Sequence, residues 1–107
     1  MTGMHRIEAE RARQIEKEGF LPVQDDAHED GKLGQAARAY AMEPVFENPL
    51  VDVRMFFFPK SWLARFKPSP RSRVRDLEKA GALYLAEAQR CQRAAQSCGL
   101  LIDQLDQ

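Results

Sequence analysis

The feature that most constrains this fold is a run of small and apolar residues that recurs every three or four positions up to the C-terminal end. Steps that alternate between three and four correspond to a period of about 3.5 residues, which places every member on one face of a single long helix. We expect this helix to begin near Ser72. Gly99 could end it near Ser97, but we favour a continuous or slightly broken helix because the register survives that glycine. Its partner is either the alanine face of a shorter helix or a second copy of itself. The members of this seam are Val74, Leu77, Gly81, Tyr84, Ala88, Cys91, Ala95, Cys98, Ile102 and Leu105.

Two shorter helices are predicted ahead of the long one. The first spans His5–Glu18, where helix breakers are absent and Ile7 and Ile15 form a narrow apolar stripe. The second spans Lys32–Met42, with Asp30 as its expected N-cap. The predicted core face of this second helix is rich in alanine and comprises Leu33, Ala36, Ala37, Tyr40 and Ala41.

The section Pro44–Pro70 combines many prolines with the aromatic residues Phe56–Phe58, Trp62 and Phe66. Prolines disfavour a long helix or a central strand, whereas aromatic rings need burial. We therefore expect an ordered but irregular cover packed over the helices. One short helical turn is expected within it, at Ser61–Phe66.

Length and composition place the chain in one class. At 107 residues it fits a single small domain, 1–107, and the three helices make that domain mainly α. A formal net charge of zero argues against a uniformly basic nucleic-acid binder. No apolar run approaches the roughly 20 residues of a membrane span, so we expect a cytoplasmic protein. Cys91 and Cys98 lie about 10 Å apart along one helix, so they cannot bond within it and are expected as reduced thiols on a packing face.

The acidic stretch Gln24–Leu33, QDDAHEDGKL, could be a metal site or the acidic front of a helix. Neither a calcium-loop pattern nor a His-Glu-x-x-His pair is present, and carboxylates before a helix gain about 0.3–1 kcal/mol each from its dipole. We favour the second interpretation and predict neither a metal nor a cofactor. The pairs Glu8 with Glu10 and Glu16 with Glu18 are two residues apart and point to different faces. That spacing disfavours a magnesium-dependent nucleotide pyrophosphohydrolase, and no catalytic residues are predicted.

The tract Pro59–Asp76, PKSWLARFKPSPRSRVRD, is both basic and aromatic. Considered one by one, its aromatic residues are better explained as core residues and its arginines as solvent-exposed surface residues. Taken together, Trp62 could stack on a base while the cations contact phosphate. We expect Arg11 and nearby acids to face this tract across a pocket, with Asp76 either orienting Arg75 or accepting from a donor on the base. The predicted ligand-binding residues are Arg11, Asp26, His28, Trp62, Lys67, Arg71, Arg75 and Asp76.

Four segments, taken in order, resemble a family of short uncharacterised proteins common in tailed phages and prophages. They are ERARQIEKEGF, DDAHEDGKLGQAARAYA, a Trp-bearing segment ending FKP, and RDLEKAGALYLAEAQR, and they cover about His5–Arg93. The family usually has a histidine before the two aspartates, where this chain has Gln24. Residues 13–20 and the pair Arg75 and Asp76 are also similar to the RyR domain, a small helical module of ryanodine receptors. That second resemblance implies a ligand-binding or interaction module rather than an enzyme.

The resemblance to phage proteins implies an accessory protein that works by binding in the host cytoplasm. Our first hypothesis is a module that binds a phosphate-containing small molecule, such as a nucleotide or a nucleotide-derived defence signal. One alternative is an inhibitor or adaptor of a host protein, and another is a magnesium-dependent nucleotide pyrophosphohydrolase. We expect no membrane partner, and we expect a homodimer formed through the seam.

Overall fold

The protein has three main α-helices, as the sequence predicts. The computed structural model describes residues 2–18, 31–48, 51–69 and 71–106. The helices are α1, Gly3–Glu18, α2, Lys32–Ala41, and α3, Arg73–Leu105. The fold is therefore mainly α, and its long helix runs without a break through Gly99.

The segment between α2 and α3 is a compact, irregular cover. It starts with a small antiparallel hairpin of β1, Phe46–Asn48, and β2, Val51–Asp52. Two 3-10 helices follow, Val53–Phe57 and Lys60–Arg65, and the second corresponds to the helical turn predicted from the sequence. This cover places some aromatic residues in the core and leaves others, such as Phe56, exposed.

The core forms where α2 packs between α3 and the cover. All the buried residues of α2 are apolar or aromatic, and four of them were predicted. They meet Ala80, Leu83 and Ala86 of α3 together with Phe58 and Trp62 of the cover. The small alanine side chains let the two helix backbones approach closely. The buried residues of α2 are Leu33, Ala36, Ala37, Ala39 and Tyr40.

The face of α3 that packs on α2 is not the seam, so the expectation that the seam packs on α2 is wrong. The buried stripe of α3 is offset by one residue from it, and most seam residues face outwards. The buried stripe includes the polar residue Asp76, which is 2% exposed and pairs with Arg54. A pattern of apolar residues alone does not reveal that partner.

Gly81 is a seam residue that does contact a neighbouring helix, and that helix is α1. A Cβ atom built on Gly81 would lie 2.4 Å from Cδ1 of Ile7. Any larger residue would therefore require the Ile7 side chain or α1 to shift. The rest of the α1 interface is more polar than its predicted apolar stripe, since Glu10, Arg11 and Gln14 are all buried.

The C-terminal half of α3 extends beyond the core. From Cys91 onwards its residues are exposed, apart from the half-buried Arg93. Cys91 and Cys98 are both free and exposed, which corrects their expected place on a packing face within the chain. Throughout the described part of the chain, no helix is both long and apolar enough to cross a membrane.

Two polar interactions fix the cover and the start of α3. The Arg73 guanidinium donates to the carbonyl oxygens of Tyr40 and Met42, at 3.0 and 2.8 Å, and also to that of Ala41. These carbonyls would otherwise lack partners at the end of α2. The Ser72 hydroxyl caps α3 by accepting from the Arg75 backbone N–H at 3.1 Å. In α2 the N-cap position is Gly31 with φ 79°, and the predicted cap, Asp30, lies outside the described residues.

A buried ion pair holds the cover against α3. Arg54, which is 1% exposed, donates to Asp76 Oδ2 at 2.9 Å and makes a two-pronged contact with Asp52. The other oxygen of Asp76 accepts the Ser69 backbone N–H at 2.7 Å. Burial alone would raise the pKa of Asp52, but the hydrogen bonds from Arg54 outweigh it and keep that pKa below its ordinary value. These contacts join both ends of the cover to the first turns of α3.

Candidate functional site: a cationic pocket lined by aromatic rings

A pocket of about 290 Å³ opens where α1, α2, α3 and the cover meet. Its volume lies near the lower end of the range of roughly 300–1,000 Å³ that is typical of small-molecule sites. The pocket combines aromatic and aliphatic walls with a group of cationic side chains. The lining residues are Arg13, Gln14, Ala36, Tyr40, Phe58, Trp62, Arg65, Lys67, Arg75, Lys79 and Leu83.

The aromatic wall is fixed by ring contacts and by one hydroxyl group. The rings of Tyr40 and Phe58 meet edge to face with their centres 5.6 Å apart, and Phe66 packs 5.0 Å from Phe58. The Tyr40 hydroxyl accepts the Lys67 backbone N–H at 2.8 Å and donates to the Arg65 carbonyl at 3.3 Å. Tyr40 therefore sets the position of the strip of backbone that carries two of the cations.

Trp62 closes one side of the pocket. Its side chain is mostly covered, at 9% exposure, and the Arg65 guanidinium carbon lies 5.6 Å from the ring centre. A ring this deeply packed gives the pocket a rigid apolar wall and leaves little free surface for stacking. The stacking role expected of Trp62 stays a prediction, while its place at the pocket is a structural fact.

Among the described residues, five cations and no acidic side chain line the pocket. Arg13 comes from α1, Arg65 and Lys67 come from the cover, and Arg75 and Lys79 come from α3. Glu10 and Glu78 offset part of this charge from behind the pocket, while the lining itself carries one sign of charge beside apolar walls. The arrangement suits an anion.

Glu10 holds two of these cations in place from behind. Its side chain is buried and contacts Arg13 of the same helix and Arg75 of α3, with 3.0 Å between Arg75 and Glu10 Oε1. Burial alone would raise the pKa of Glu10, but the hydrogen bonds from Arg75 and Arg13 outweigh it and keep that pKa below its ordinary value. The hydrogen bond to Glu10 likewise raises the pKa of Arg75. Both guanidinium groups are therefore charged and firmly positioned.

Lys79 and Lys67 supply further positive charge at the pocket. Among the described residues, neither ammonium group forms an ion pair. Lys79 donates to the Ser69 hydroxyl at 3.2 Å and to the Lys67 carbonyl, and it lies 5.7 Å from the centre of the Tyr40 ring. Burial, followed by repulsion from Arg75, lowers the pKa of Lys79. An anion in the pocket would relieve that repulsion.

Three of the residues predicted to bind a ligand line this pocket: Trp62, Lys67 and Arg75. Arg71 is exposed and does not line it. Arg11 is buried and donates to Gln89 Oε1 at 3.3 Å. The remaining predictions for Asp26 and His28 concern residues outside those described.

Asp76 has a different environment from the predicted one. It was expected to orient Arg75, but its carboxylate is taken up by Arg54 and by the Ser69 backbone N–H. Arg75 pairs instead with Glu10 and Glu78. The first helix contacts the basic tract through the ion pair between Glu10 and Arg75.

The sequence analysis missed four cationic or amide residues of the pocket: Arg13, Gln14, Arg65 and Lys79. A spacing signal for three of them was present. Arg75 and Lys79 are four residues apart on α3, so they share a face, and Glu10, Arg13 and Gln14 have steps of three and four on α1. Only the crossing of α1 over α3 brings these two faces together.

Within the described residues, no group of three His, Cys, Asp or Glu side chains is arranged to hold a metal ion. Comparisons of the chain with protein-family models, with curated proteins and with solved structures returned no match. The resemblances to phage proteins and to RyR domains therefore stay predictions.

Proposed function

We propose that this protein is a binding module for a small phosphate-bearing molecule, such as a nucleotide. The observation that carries the proposal is the pocket, where five cations and no acid among the described residues lie beside an apolar wall. Charged hydrogen bonds from arginine and lysine are the strongest contacts that a protein offers to phosphate oxygens. The aromatic wall would meet the less polar part of the same ligand.

The chemistry supported by these residues is capture rather than turnover. Arg13 and Arg75 are already fixed by Glu10, so they are preorganised to accept an anion without much further ordering. Lys67 and Lys79 would supply additional charge at the pocket. The narrower proposal that the ligand is a nucleotide-derived defence signal rests on the resemblance to phage proteins.

A titration of intrinsic fluorescence tests this proposal, because the chain has a single tryptophan and it lies at the pocket. We expect 5′-mononucleotides or inorganic pyrophosphate to change Trp62 emission saturably and to raise the melting temperature. The apparent affinity should fall as salt rises, since the attraction is electrostatic.

Two variants of the basic tract provide a matched pair. Lys67→Met removes a pocket cation and should weaken binding by roughly ten-fold. Arg71→Met removes the same charge from an exposed position that does not line the pocket, and should change affinity by less than about two-fold. Equal losses in the two variants would show that the tract attracts anions without a defined site. The same incubations, with and without magnesium, detect any nucleotide hydrolysis and so test the pyrophosphohydrolase alternative.

We also propose that the chain pairs with a second copy of itself through the seam. The specific observation is the projecting end of α3, where Leu101, Ile102 and Leu105 are 57%, 63% and 81% exposed. The projecting end of α3, residues 91–105, would be only marginally stable in water as an isolated helix, so a partner helix would stabilise it. The same exposed helix would also suit the alternative of an adaptor that binds a host protein.

Two neighbouring substitutions separate these possibilities. Ala95→Glu puts a charge on the seam, whereas Gln96→Glu puts the same charge one residue away on the outer side of the helix. Light scattering after gel filtration should show a dimer for the wild type and for Gln96→Glu and a monomer for Ala95→Glu. A wild-type monomer at high concentration would reject self-association and leave the adaptor as the alternative.

A further inference from the structure

Gln14 occupies an unusual position in the pocket. It lies on α1, it is 3% exposed, and it lines the same hollow as the cations. Its side-chain oxygen Oε1 is buried, and no donor among the described residues reaches it. Buried acceptors are nearly always satisfied in folded proteins, because leaving one without a donor is costly. An unsatisfied acceptor at a ligand-sized hollow therefore calls for a donor that the described residues do not supply.

Among the described residues, none of the cations that line the pocket donates to Gln14 Oε1. Arg13 and Arg75 contact Glu10, and Lys79 donates to the Ser69 hydroxyl and the Lys67 carbonyl. These groups are arranged to receive an anion, which is the opposite of what Gln14 needs. The pocket therefore favours a ligand that carries both a negative group for the cations and an N–H or O–H group for Gln14.

We propose that Gln14 is a specificity-determining residue that accepts a hydrogen bond from an N–H or O–H group of the bound ligand. This inference rests on the proposed function, since it concerns the same pocket. The ligand then carries a phosphate at one end and a hydrogen-bond donor, such as a base amino group or a sugar hydroxyl, within the span of the pocket. A volume of about 290 Å³ suits a mononucleotide-sized ligand better than a dinucleotide.

The test compares two kinds of ligand on the same protein. Inorganic phosphate supplies the anion alone, and the common 5′-mononucleotides supply the anion together with base and ribose donors. Gln14→Met keeps the length of the side chain but removes the acceptor. Gln92→Met makes the same change at an exposed position of α3 and serves as the control.

We expect the wild type to bind at least one mononucleotide more tightly than phosphate. Gln14→Met should reduce that preference by roughly ten-fold while leaving the phosphate affinity within about two-fold of the wild type. Gln92→Met should change neither affinity. An unchanged preference in Gln14→Met would overturn the inference and leave the anion site standing. Absence of binding by phosphate and by every mononucleotide would overturn the proposed function together with the inference.

A second readout needs no ligand. Because Gln14→Met replaces an unsatisfied buried acceptor with an apolar group, the ligand-free variant should melt at a higher temperature than the wild type. Higher stability without ligand together with lower ligand selectivity is the result expected when the substituted residue binds the ligand. A lower melting temperature would show that Gln14 is already satisfied by water or by another group, and would overturn the inference.

Discussion

Removing Arg54 should weaken the packing of the cover, which forms much of the pocket wall, against α3. The Arg54 side chain is 1% exposed, and its pair with Asp76 is buried from both sides. In Arg54→Met the Asp76 carboxylate would stay buried without its cation, keeping the Ser69 N–H as its other partner. Asp52 would lose its partner as well, although it is nearer to solvent.

The size of the effect follows from the burial of the remaining charge. Breaking a buried ion pair by removing one partner costs about 3–5 kcal/mol. A domain of this size has a free energy of unfolding of roughly 5–15 kcal/mol, so about a fifth or more of it would be lost. Neutralising the stranded carboxylate should recover part of this loss. Arg54→Met combined with Asp76→Asn should therefore be more stable than Arg54→Met alone by at least about 1 kcal/mol.

Urea unfolding measures these differences directly. Circular dichroism follows the helices and Trp62 fluorescence follows the cover, and coincident transitions would justify a two-state treatment. The reasoning is refuted if Arg54→Met costs less than about 1 kcal/mol. It is also refuted if the double variant is no more stable than Arg54→Met.

Three further predictions concern single positions. Because the pKa of Glu10 is lowered in the folded protein, its contribution to stability is fully present above pH 4.5, its ordinary value, and is lost as the pH falls through the lower folded value. Urea unfolding between pH 6 and pH 3 should therefore show a smaller loss of stability for Glu10→Gln than for the wild type. Equal losses of stability would contradict the ion-pair assignment. Gly81→Ala should destabilise the protein, because the added methyl group would overlap Ile7. Gly99→Ala, with nothing within 4 Å, should gain up to about 1 kcal/mol of stability from helix propensity. A higher melting temperature in both variants would show that α1 does not press on α3. Ser72→Ala should cost about 0.5–2 kcal/mol through loss of the N-cap of α3, and an unchanged urea midpoint would argue against that cap.

The helices were predictable because their signals are local. The alanine face of α2 and the uninterrupted run of α3 through Gly99 follow from spacing along the chain. The packed face of α3 was not predictable in the same way. Asp76 is buried because it meets Arg54, which lies 22 residues earlier, and an apolar pattern gives no information about that distant partner.

The same difference, between local sequence patterns and contacts distant in sequence, explains which residues of the candidate site were predicted. Trp62, Lys67 and Arg75 were predicted because they lie within one basic and aromatic tract. Arg13 and Gln14 come from α1, more than 40 residues away, and they join the site only through the close approach of α1 at Gly81. Arg71 and Arg73 belong to the tract but do not line the pocket, and Arg73 instead binds the carbonyl groups at the end of α2. Composition indicates which kinds of residue are present, whereas helix crossing decides which of them meet.

The central claim is that one pocket, formed by three helices and the cover, receives a phosphate-bearing ligand. Nuclear magnetic resonance of the ¹⁵N-labelled protein tests it most directly, with each common 5′-mononucleotide added in turn. We predict saturable shifts of the Trp62 indole signal and of the backbone amides of Gln14, Lys67 and Lys79, with residues 99–105 unaffected. No shift with any mononucleotide, or shifts confined to the exposed end of α3, would contradict the claim.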